Sequence, residues 1–157
     1  QNRSEFGPRA LGNRSILANP QNPQMKNILD LNIKQRDRYR PYAPVILEEY
    51  AQKYFDIDGI SPVMMSGGKV LSKDFPAITH FDGSARVQTL SKKDNLTFYK
   101  IIQSFQNLSG HPVILNTSFN LPGEPIVESP TDALNSFQNG SLQYLCIGDY
   151  LVSRIMR

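Results

Sequence analysis

The strongest constraint on the fold lies between residues 94 and 120, where a helical pattern leads directly into a buried strand. Behind Asp94, which we expect to cap the helix, apolar side chains recur at helical spacing until Gly110. This stripe consists of Phe98, Ile101, Ile102, Phe105 and Leu108. Pro112 then begins an apolar strand that continues to Leu115. A helix joined so closely to a buried strand predicts a layered α/β domain.

The rest of the chain continues this alternation. Ser129 before Pro130 predicts the start of another helix, and strands are predicted over residues 144–147 and 150–155. In the first half we predict a helix over residues 23–34, a short helical stripe over 47–55, a strand at 63–65, and strands at 77–81 and 85–90. The predicted fold class is therefore α/β, with a twisted mixed sheet flanked by helices.

Composition limits the functions to be considered. The chain has 157 residues, which suits one domain with its own core, and we treat residues 1–157 as that domain. A net charge of +3 does not indicate a nucleic-acid partner, and no apolar stretch is long enough to indicate a membrane partner. The single cysteine, Cys146, predicts a reducing, cytoplasmic location, and its apolar neighbours predict a buried, inert thiol. The spacing of His80 and His111 predicts no metal site.

Residues 5–15 are richer in Gly and Arg than packing requires. Glycines on both sides of Arg9 let the backbone approach a ligand closely, and guanidinium groups bind phosphate or carboxylate through paired hydrogen bonds. The alternative is a structural loop in which Arg9 or Arg14 pairs with Glu5. The residue pattern alone leaves both interpretations open.

A second segment, residues 34–42, is basic at every second position. Its cations are Lys34, Arg36, Arg38 and Arg40. In an extended chain they would share one face and attract phosphate groups, or the backbone of an RNA. A solvated charged edge, which discourages aggregation, is the alternative.

The third segment is Asn-Thr-Ser-Phe-Asn at residues 116–120, directly after the buried strand. Ligands of α/β sheets bind beyond strand ends, where hydroxyl and amide groups can hold phosphate oxygens or a carbonyl. The alternative is that these residues cap a turn. Neither Gly-x-x-x-x-Gly-Lys-Ser/Thr nor Gly-x-Gly-x-x-Gly occurs, so any nucleotide site is built from scattered cations and small polar residues.

Four blocks together resemble the O-carbamoyltransferases of nodulation and antibiotic pathways. They are Glu-Phe-Gly-Pro-Arg-Ala-Leu-Gly-Asn-Arg-Ser-Ile-Leu at residues 5–17, residues 32–44 from Asn-Ile-Lys to Arg-Pro-Tyr-Ala-Pro, His-Phe-Asp-Gly-Ser-Ala-Arg-Val-Gln at 80–88, and Leu-Asn-Thr-Ser-Phe-Asn with Gly-Glu-Pro-Ile-Val between 115 and 127. The match covers nearly the whole chain. It departs at Ser84, where Thr is expected, and at Glu128, where a small or thiol residue is expected.

The resemblance implies a YrdC-like fold around a positively charged cavity. In such a domain carbamoyl phosphate and ATP, with Mg²⁺, give a carbamoyl-adenylate and diphosphate. The matching blocks imply catalytic roles for Arg9, Lys34 and Arg86 on the phosphates and carbamoyl group, while Asn116 and Ser118 would orient the adenylate or carbamoyl group. We expect these five side chains to converge on one basic cavity.

The resemblance also implies an N-terminal, sugar-kinase-like domain that transfers the carbamoyl group to a hydroxyl. The chain does not begin with Met, and we expect it to be the C-terminal part of a longer protein whose N-terminal domain is its partner. Alone, it should fold and bind nucleotide better than it forms adenylate, without transfer to an acceptor.

Two other functions remain open at this point. One is an RNA-binding module of the YrdC type without carbamoyl chemistry, against which stand the low net charge and the acids placed among the basic residues. The other is a partner surface with a degenerate active site, against which stand the intact Arg9, Lys34 and Arg86.

Overall fold

The fold is given by a computed structural model, which describes residues 1–37 and 39–154. Six strands form one mixed sheet with helices packed against it, which confirms the predicted α/β class. In chain order the elements are β1 Ser15–Ala18, α1 Met25–Ile28 continuing as a π-helical turn Leu29–Lys34, β2 Ala43–Leu47, a 3₁₀ turn Glu48–Tyr50, α2 Ala51–Tyr54, β3 Phe55–Asp56, β4 Ser66–Val70, β5 Ser84–Leu90, α3 Leu96–Ser109, β6 Val113–Ser118, α4 Pro130–Asn139, β7 Tyr144–Ile147 and β8 Tyr150–Ser153. The narrower YrdC-like assignment stays a prediction.

The large sheet has the strand order β1-β6-β2-β5-β4-β3. Only β2 and β5 run parallel among these pairs; the other neighbours are antiparallel. Strands β7 and β8 pair with each other in a separate antiparallel sheet. None of the helices in the described ranges is long and apolar enough to cross a membrane.

Both faces of the central strands are covered. All five residues of β2 are buried, and the side chains of its last three residues alternate between two core clusters. Val45 and Leu47 pack with α3, through Phe98 and Ile102, whereas Ile46 belongs to the larger cluster on the other face. A strand covered on both faces is a rigid support for residues at its ends.

The predicted elements of the second half are confirmed, with one change of cap. Helix α3 is capped by Asn95, whose side chain accepts from the N–H of Phe98, while Asp94 accepts from Ser91 instead. Helix α4 has the predicted start, since Ser129 accepts from the N–H of Asp132 in a capping box with Pro at the first turn. Residue 155, the predicted end of the last strand, lies outside the described residues.

Most of the errors lie in the first half. The strand predicted at residues 63–65 is a turn, because Met64 has a φ of +61°, and β4 begins only at Ser66. Residues 77–81 also form turns, and β5 pairs with β4 rather than with them. Leu47 ends strand β2 and is not part of a helix. The prediction of a buried thiol is wrong as well: Cys146 faces outward on β7 and is exposed, while its neighbour Leu145 fills the core.

Candidate functional site

A cavity lies at the edge of the large sheet where β6 ends and where β2 and β5 begin. The antiparallel pairing of β6 with β2 places Asn116 opposite Ala43. Strand β1 begins at the same edge, because Ser15 lies opposite Ser118. The topology therefore brings together the loop before β1, the segment before β2, strand β5 and the end of β6.

This cavity, about 240 Å³ in volume, is lined by four arginines and is called the cationic cavity below. Its lining residues are Pro8, Arg9, Ala10, Arg36, Arg40, Pro41, Tyr42, Ala43, Met64, Arg86, Asn116, Thr117 and Ser118. None of the described residues that line it is acidic. Guanidinium groups bind phosphate and carboxylate oxygens through paired hydrogen bonds, so the lining suits an anionic ligand.

Arg86 and Arg9 carry charges that the described protein does not neutralise. Arg86 lies half-buried in β5, and Arg9 is exposed in the loop before β1. Burial and, second, the nearby charge of Arg9 lower the pKa of Arg86. In the described ranges neither arginine has an acidic side chain at ion-pairing distance, and the buried Nε of Arg86 has no hydrogen-bond partner. Two adjacent cations without a counterion favour a bound anion.

Backbone contacts hold the loop that carries Arg9. The Glu5 carboxylate accepts from the N–H groups of Leu11 and Asn13, each at 2.7 Å. Arg14 donates instead to backbone carbonyls, including those of residues 1, 2 and 128. The structural alternative weighed for this loop, a pairing of Glu5 with Arg9 or Arg14, is therefore not found among the described contacts.

Gly12 brings the same loop close to α3. Its φ is +125°, and a Cβ atom at this position would lie 2.3 Å from the ring of Phe98. The amide of Asn95, the cap of α3, donates to the side-chain oxygen of Asn13 at 2.9 Å. The loop is thus fixed against the helix next to Arg9, and only glycine fits at the point of contact.

Lys34 does not line the cationic cavity, although it lies beside it. It ends the π-helical turn and is 9% exposed. Its ammonium donates to the backbone oxygens of Ser118 (2.6 Å) and Asn120 (3.0 Å) and to Asn120 Oδ1 (2.9 Å). A longer contact of 3.4 Å joins the ammonium to Ser118 Oγ. The three shorter bonds account for the three protons of an ammonium group. Burial and the charges of Arg36 and Arg40 lower the pKa of Lys34 to about 8.

Arg36 reaches the cavity wall but is paired with an acid. Its Nε lies 3.3 Å from Oδ1 of Asp30, which is fully buried, and its guanidinium stacks 4.2 Å from the ring centroid of Tyr42. The Tyr42 hydroxyl donates to the same carboxylate oxygen at 2.7 Å, and Lys26 donates to the other at 2.8 Å. Burial and, second, the bond to Asp30 raise the pKa of Tyr42. Asp30 therefore holds the segment that carries Arg36 against the sheet.

The five predicted site residues thus fall into two groups. Arg9, Arg86, Asn116 and Ser118 line one cavity, whereas Lys34 contacts the loop behind it. What these residues do for a ligand stays a prediction.

Four further lining residues, Arg36, Arg40, Tyr42 and Thr117, belong to the candidate segments 34–42 and 116–120 but were not among the five predicted site residues. The alternating basic pattern did signal the two arginines. The extended conformation that would place these cations on one face is not present at the start of the segment, because Lys34 is helical and Gln35 has a φ of +43°. Arg38 lies outside the described residues.

An amide pair supports the floor of the cavity. Asn116 Nδ2 donates to the backbone oxygen of Ala10 (3.0 Å) and to Gln88 Oε1 (2.9 Å). Gln88 Nε2 donates to the backbone oxygen of Leu11 at 3.1 Å. Both amides are almost fully buried, with exposures of 2% for Asn116 and 1% for Gln88. Asn116 Oδ1 is buried and accepts no hydrogen bond from the described residues.

Together the fold and the cavity define an α/β domain with an arginine-lined cavity at one edge of its large sheet. Comparison with known proteins then gives the family. The family described as "Carbamoyltransferase C-terminus" matches residues 1–154, and the chain belongs to this family.

Several longer proteins are similar to the chain. It is 44% identical to nodulation protein NolO of Bradyrhizobium diazoefficiens, over 98% of this chain and 29% of that protein. It is 42% identical to nodulation protein NolNO of Sinorhizobium fredii, over 98% of this chain and 24% of that protein. It is 38% identical to the 3'-hydroxymethylcephem-O-carbamoyltransferase of Amycolatopsis lactamdurans, over 95% of this chain and 29% of that protein. The chain thus spans less than a third of the length of these relatives.

Proposed function

We propose that this chain is the carbamoyl-activating domain of an O-carbamoyltransferase, in which the cationic cavity holds the phosphate groups of carbamoyl phosphate and ATP. The observation that carries the proposal is the pair Arg9 and Arg86, two adjacent guanidinium groups without an acidic partner among the described residues. A carbamoyltransferase among the relatives supports the carbamoyl group as the group that is transferred.

The size of the cavity suits the reacting end of the substrates. Its volume of about 240 Å³ is below the roughly 300–1,000 Å³ of sites that enclose whole drug-sized ligands. It would hold the carbamoyl and phosphate groups, while the nucleoside of ATP extends into neighbouring space. Two larger depressions adjoin it: one shares Arg36 and Arg40 with the cavity, and the other shares Pro41 and Tyr42.

The proposed reaction balances with one water. Carbamoyl phosphate loses its phosphoryl group to water and leaves as carbamate, and phosphate is released. A carbamate oxygen then attacks the α-phosphorus of ATP, which forms carbamoyl-adenylate and expels diphosphate. Carbamoyl phosphate, carbamate and ATP are all anions, so close cations lower the repulsion between the attacking oxygen and the phosphate.

The charged and hydroxyl groups in and beside the cavity have separate parts in this proposal. Arg9 and Arg86 would bind phosphate oxygens and stabilise the charge that develops at phosphorus. Arg36, fixed by Asp30, and Arg40 would contact the phosphates nearer the nucleoside. The Ser118 hydroxyl, which donates to Asn120 Oδ1 at 2.7 Å, can turn that proton to a phosphate oxygen. Lys34 would act by positioning residues 118–120, since its protons are already bonded to them.

Mg²⁺ would accompany the nucleotide. The described lining of the cavity has no carboxylate, so the ion would be held by phosphate oxygens and water rather than by a protein cage. It would neutralise charge on the departing diphosphate.

Transfer to an acceptor hydroxyl belongs in this proposal to another part of the polypeptide. The relatives are more than three times the length of this chain, and the sequence resemblance implies a further domain for that step. The acceptor is thus chosen outside residues 1–154, and the cytoplasm, where ATP and carbamoyl phosphate are made, is the proposed location.

The test is exchange of labelled diphosphate into ATP by the full-length protein, with and without carbamoyl phosphate. We expect exchange only when carbamoyl phosphate is present, and its loss in an Arg9→Ala, Arg86→Ala variant. Exchange that does not need carbamoyl phosphate would contradict the proposal. Tight binding of RNA with a steep salt dependence, and no exchange, would favour the RNA-binding alternative instead.

A further inference from the structure

The side-chain amides of Asn116 and Gln88, at the floor of the cationic cavity, are held in one orientation by their hydrogen bonds. Asn116 Nδ2 has two acceptors, Ala10 O and Gln88 Oε1, so its two protons are both used. Oδ1 of the same amide is left buried and without a donor among the described residues. An acceptor that is removed from water and left unpaired destabilises a protein, so a ligand that supplies a donor would remove this cost.

Backbone carbonyls fix which way the pair points. If Asn116 turned over, its oxygen would face the carbonyl of Ala10, and Gln88 would have to turn as well to offer a donor. The Gln88 oxygen would then face the carbonyl of Leu11, to which Nε2 now donates. Both carbonyls belong to the loop that carries Arg9, which is itself fixed to α3 at Gly12. The loop therefore sets the orientation of Gln88 and of Asn116.

The chemistry of the cavity says what the free oxygen can accept. The charged groups in the described lining are guanidinium cations, which bind the oxygens of an anion. At neutral pH the only donors of a carbamoyl phosphate dianion are the N–H bonds of its amide nitrogen. An acceptor beside four phosphate-binding cations matches that nitrogen and has nothing to accept from an acyl phosphate with a methyl group in its place.

We infer that Asn116 Oδ1 recognises the carbamoyl nitrogen and thereby selects carbamoyl phosphate over acyl phosphates, and that Gln88 is the positioning residue that keeps this oxygen turned toward the substrate. The inference rests on the proposed function for the identity of the anion. It adds the basis of substrate selection and a residue, Gln88, that does not line the cavity.

The experiment compares the affinities of carbamoyl phosphate and acetyl phosphate for the full-length protein, by calorimetry in the presence of Mg²⁺ and a non-hydrolysable ATP analogue. The two ligands share the phosphate group, so the ratio of their affinities measures the contribution of the carbamoyl nitrogen to binding. We expect the wild type to prefer carbamoyl phosphate by about 10-fold or more, because the bond satisfies a buried acceptor. Asn116→Leu should bring the ratio close to one, mainly by weakening carbamoyl phosphate.

Gln88→Met separates positioning from contact. The variant keeps the Asn116 side chain but removes the Gln88 oxygen that orients its amide. The preference for carbamoyl phosphate should therefore fall by several-fold, while acetyl phosphate binds as before. The matched control is Thr89→Val, the next residue of the same strand. Its buried hydroxyl accepts from the N–H of Ser61 at 2.7 Å and belongs to no contact of the amide pair. We expect this control to keep the wild-type ratio even where it lowers stability.

Each outcome decides something. If the wild type binds carbamoyl phosphate and acetyl phosphate with nearly equal affinity, the inference is wrong. This result needs no variant, so the test holds even if the variants do not fold. The inference is also wrong if Asn116→Leu keeps the wild-type preference for carbamoyl phosphate over acetyl phosphate. Selective binding without diphosphate exchange would keep the inference and remove the adenylation step. If neither anion binds, the proposed function and the inference both fail.

Discussion

Lys34 and Arg86 carry the same formal charge near the end of β6, yet their surroundings differ in one decisive respect. The three protons of the Lys34 ammonium are bonded to residues 118–120, whereas Arg86 has no acidic partner in the described ranges and an unpaired buried Nε. The Lys34 cation is bonded inside the protein, whereas the Arg86 cation lines a cavity and has no acidic partner among the described residues. A basic residue in a sequence motif is therefore not yet a ligand contact, and its hydrogen-bond partners decide which of the two it is.

The largest expected effect is on ligand binding by Arg86→Ala. A charged hydrogen bond contributes about 1.5–3 kcal/mol, so ATP or adenylate with Mg²⁺ should bind more weakly by that amount in calorimetry. The free energy of unfolding should change little, since the substitution also relieves repulsion from Arg9. Lys69→Ala, an exposed cation on the neighbouring strand β4, serves as control. Unchanged affinity in Arg86→Ala would remove Arg86 from the site.

Lys34→Met should show the opposite balance. It leaves three oxygens of residues 118 and 120 without their donor, so the free energy of unfolding should fall by about 1–3 kcal/mol in denaturant titrations. Lys100→Met, at an exposed position of α3, should have almost no effect. If Lys34→Met left stability unchanged and abolished binding, the contrast between the two cations would be wrong.

The pH dependence of stability sharpens the same point. Folding lowers the pKa of Lys34 from 10.5 to about 8, so above pH 8 the unfolded chain binds more protons than the folded one. Stability contributed by this group therefore rises with pH in the window between about 8 and 10.5. The stability difference between wild type and Lys34→Met should grow by about 1 kcal/mol from pH 7.5 to pH 9. A difference that shrinks over this range would mean that burial does not dominate the environment of Lys34.

The smallest effect is expected far from both cations. Cys146 is exposed on the outer face of β7, so Cys146→Ser should change stability and ligand affinity by less than about 0.5 kcal/mol. Thermal unfolding and calorimetry under the conditions used for Arg86→Ala test this. A large loss of binding in this variant would show that the effects at Arg86 and Lys34 are not local.

The sequence predicted the fold best where local signals agreed. Around α3 and β6, the capped apolar stripe and the strand after Pro112 point the same way, and both elements are present. The strand predicted at residues 63–65 is wrong because an apolar triplet resembles a strand in sequence, whereas the left-handed Met64 turns the chain there. The prediction of a buried Cys146 is wrong because side chains alternate between the two faces of a strand. Which face of β7 is buried could not be known without its pairing partner.

The candidate site was predictable in part. Separate blocks marked Arg9, Arg86, Asn116 and Ser118, and the structure brings them to one cavity. The position of Lys34 behind residues 118–120 depends on the π-helical turn and on the left-handed Gln35, neither of which has a reliable signal in a single sequence. Gln88 was missed because a buried glutamine in an apolar strand looks like a packing residue until its partners are known.

The pairing of β1 with β6 also has a consequence for how the protein is made. Ser15 lies opposite Ser118, so the two strands that frame the cavity are separated by about a hundred residues of chain. Such distant partners fold late, because a long loop must close before any contact between them forms. During synthesis, three of the four cavity arginines precede strand β5 and emerge long before β6 can join them. Until β6 pairs with β1 and β2, no folded sheet holds these positive charges in one cavity.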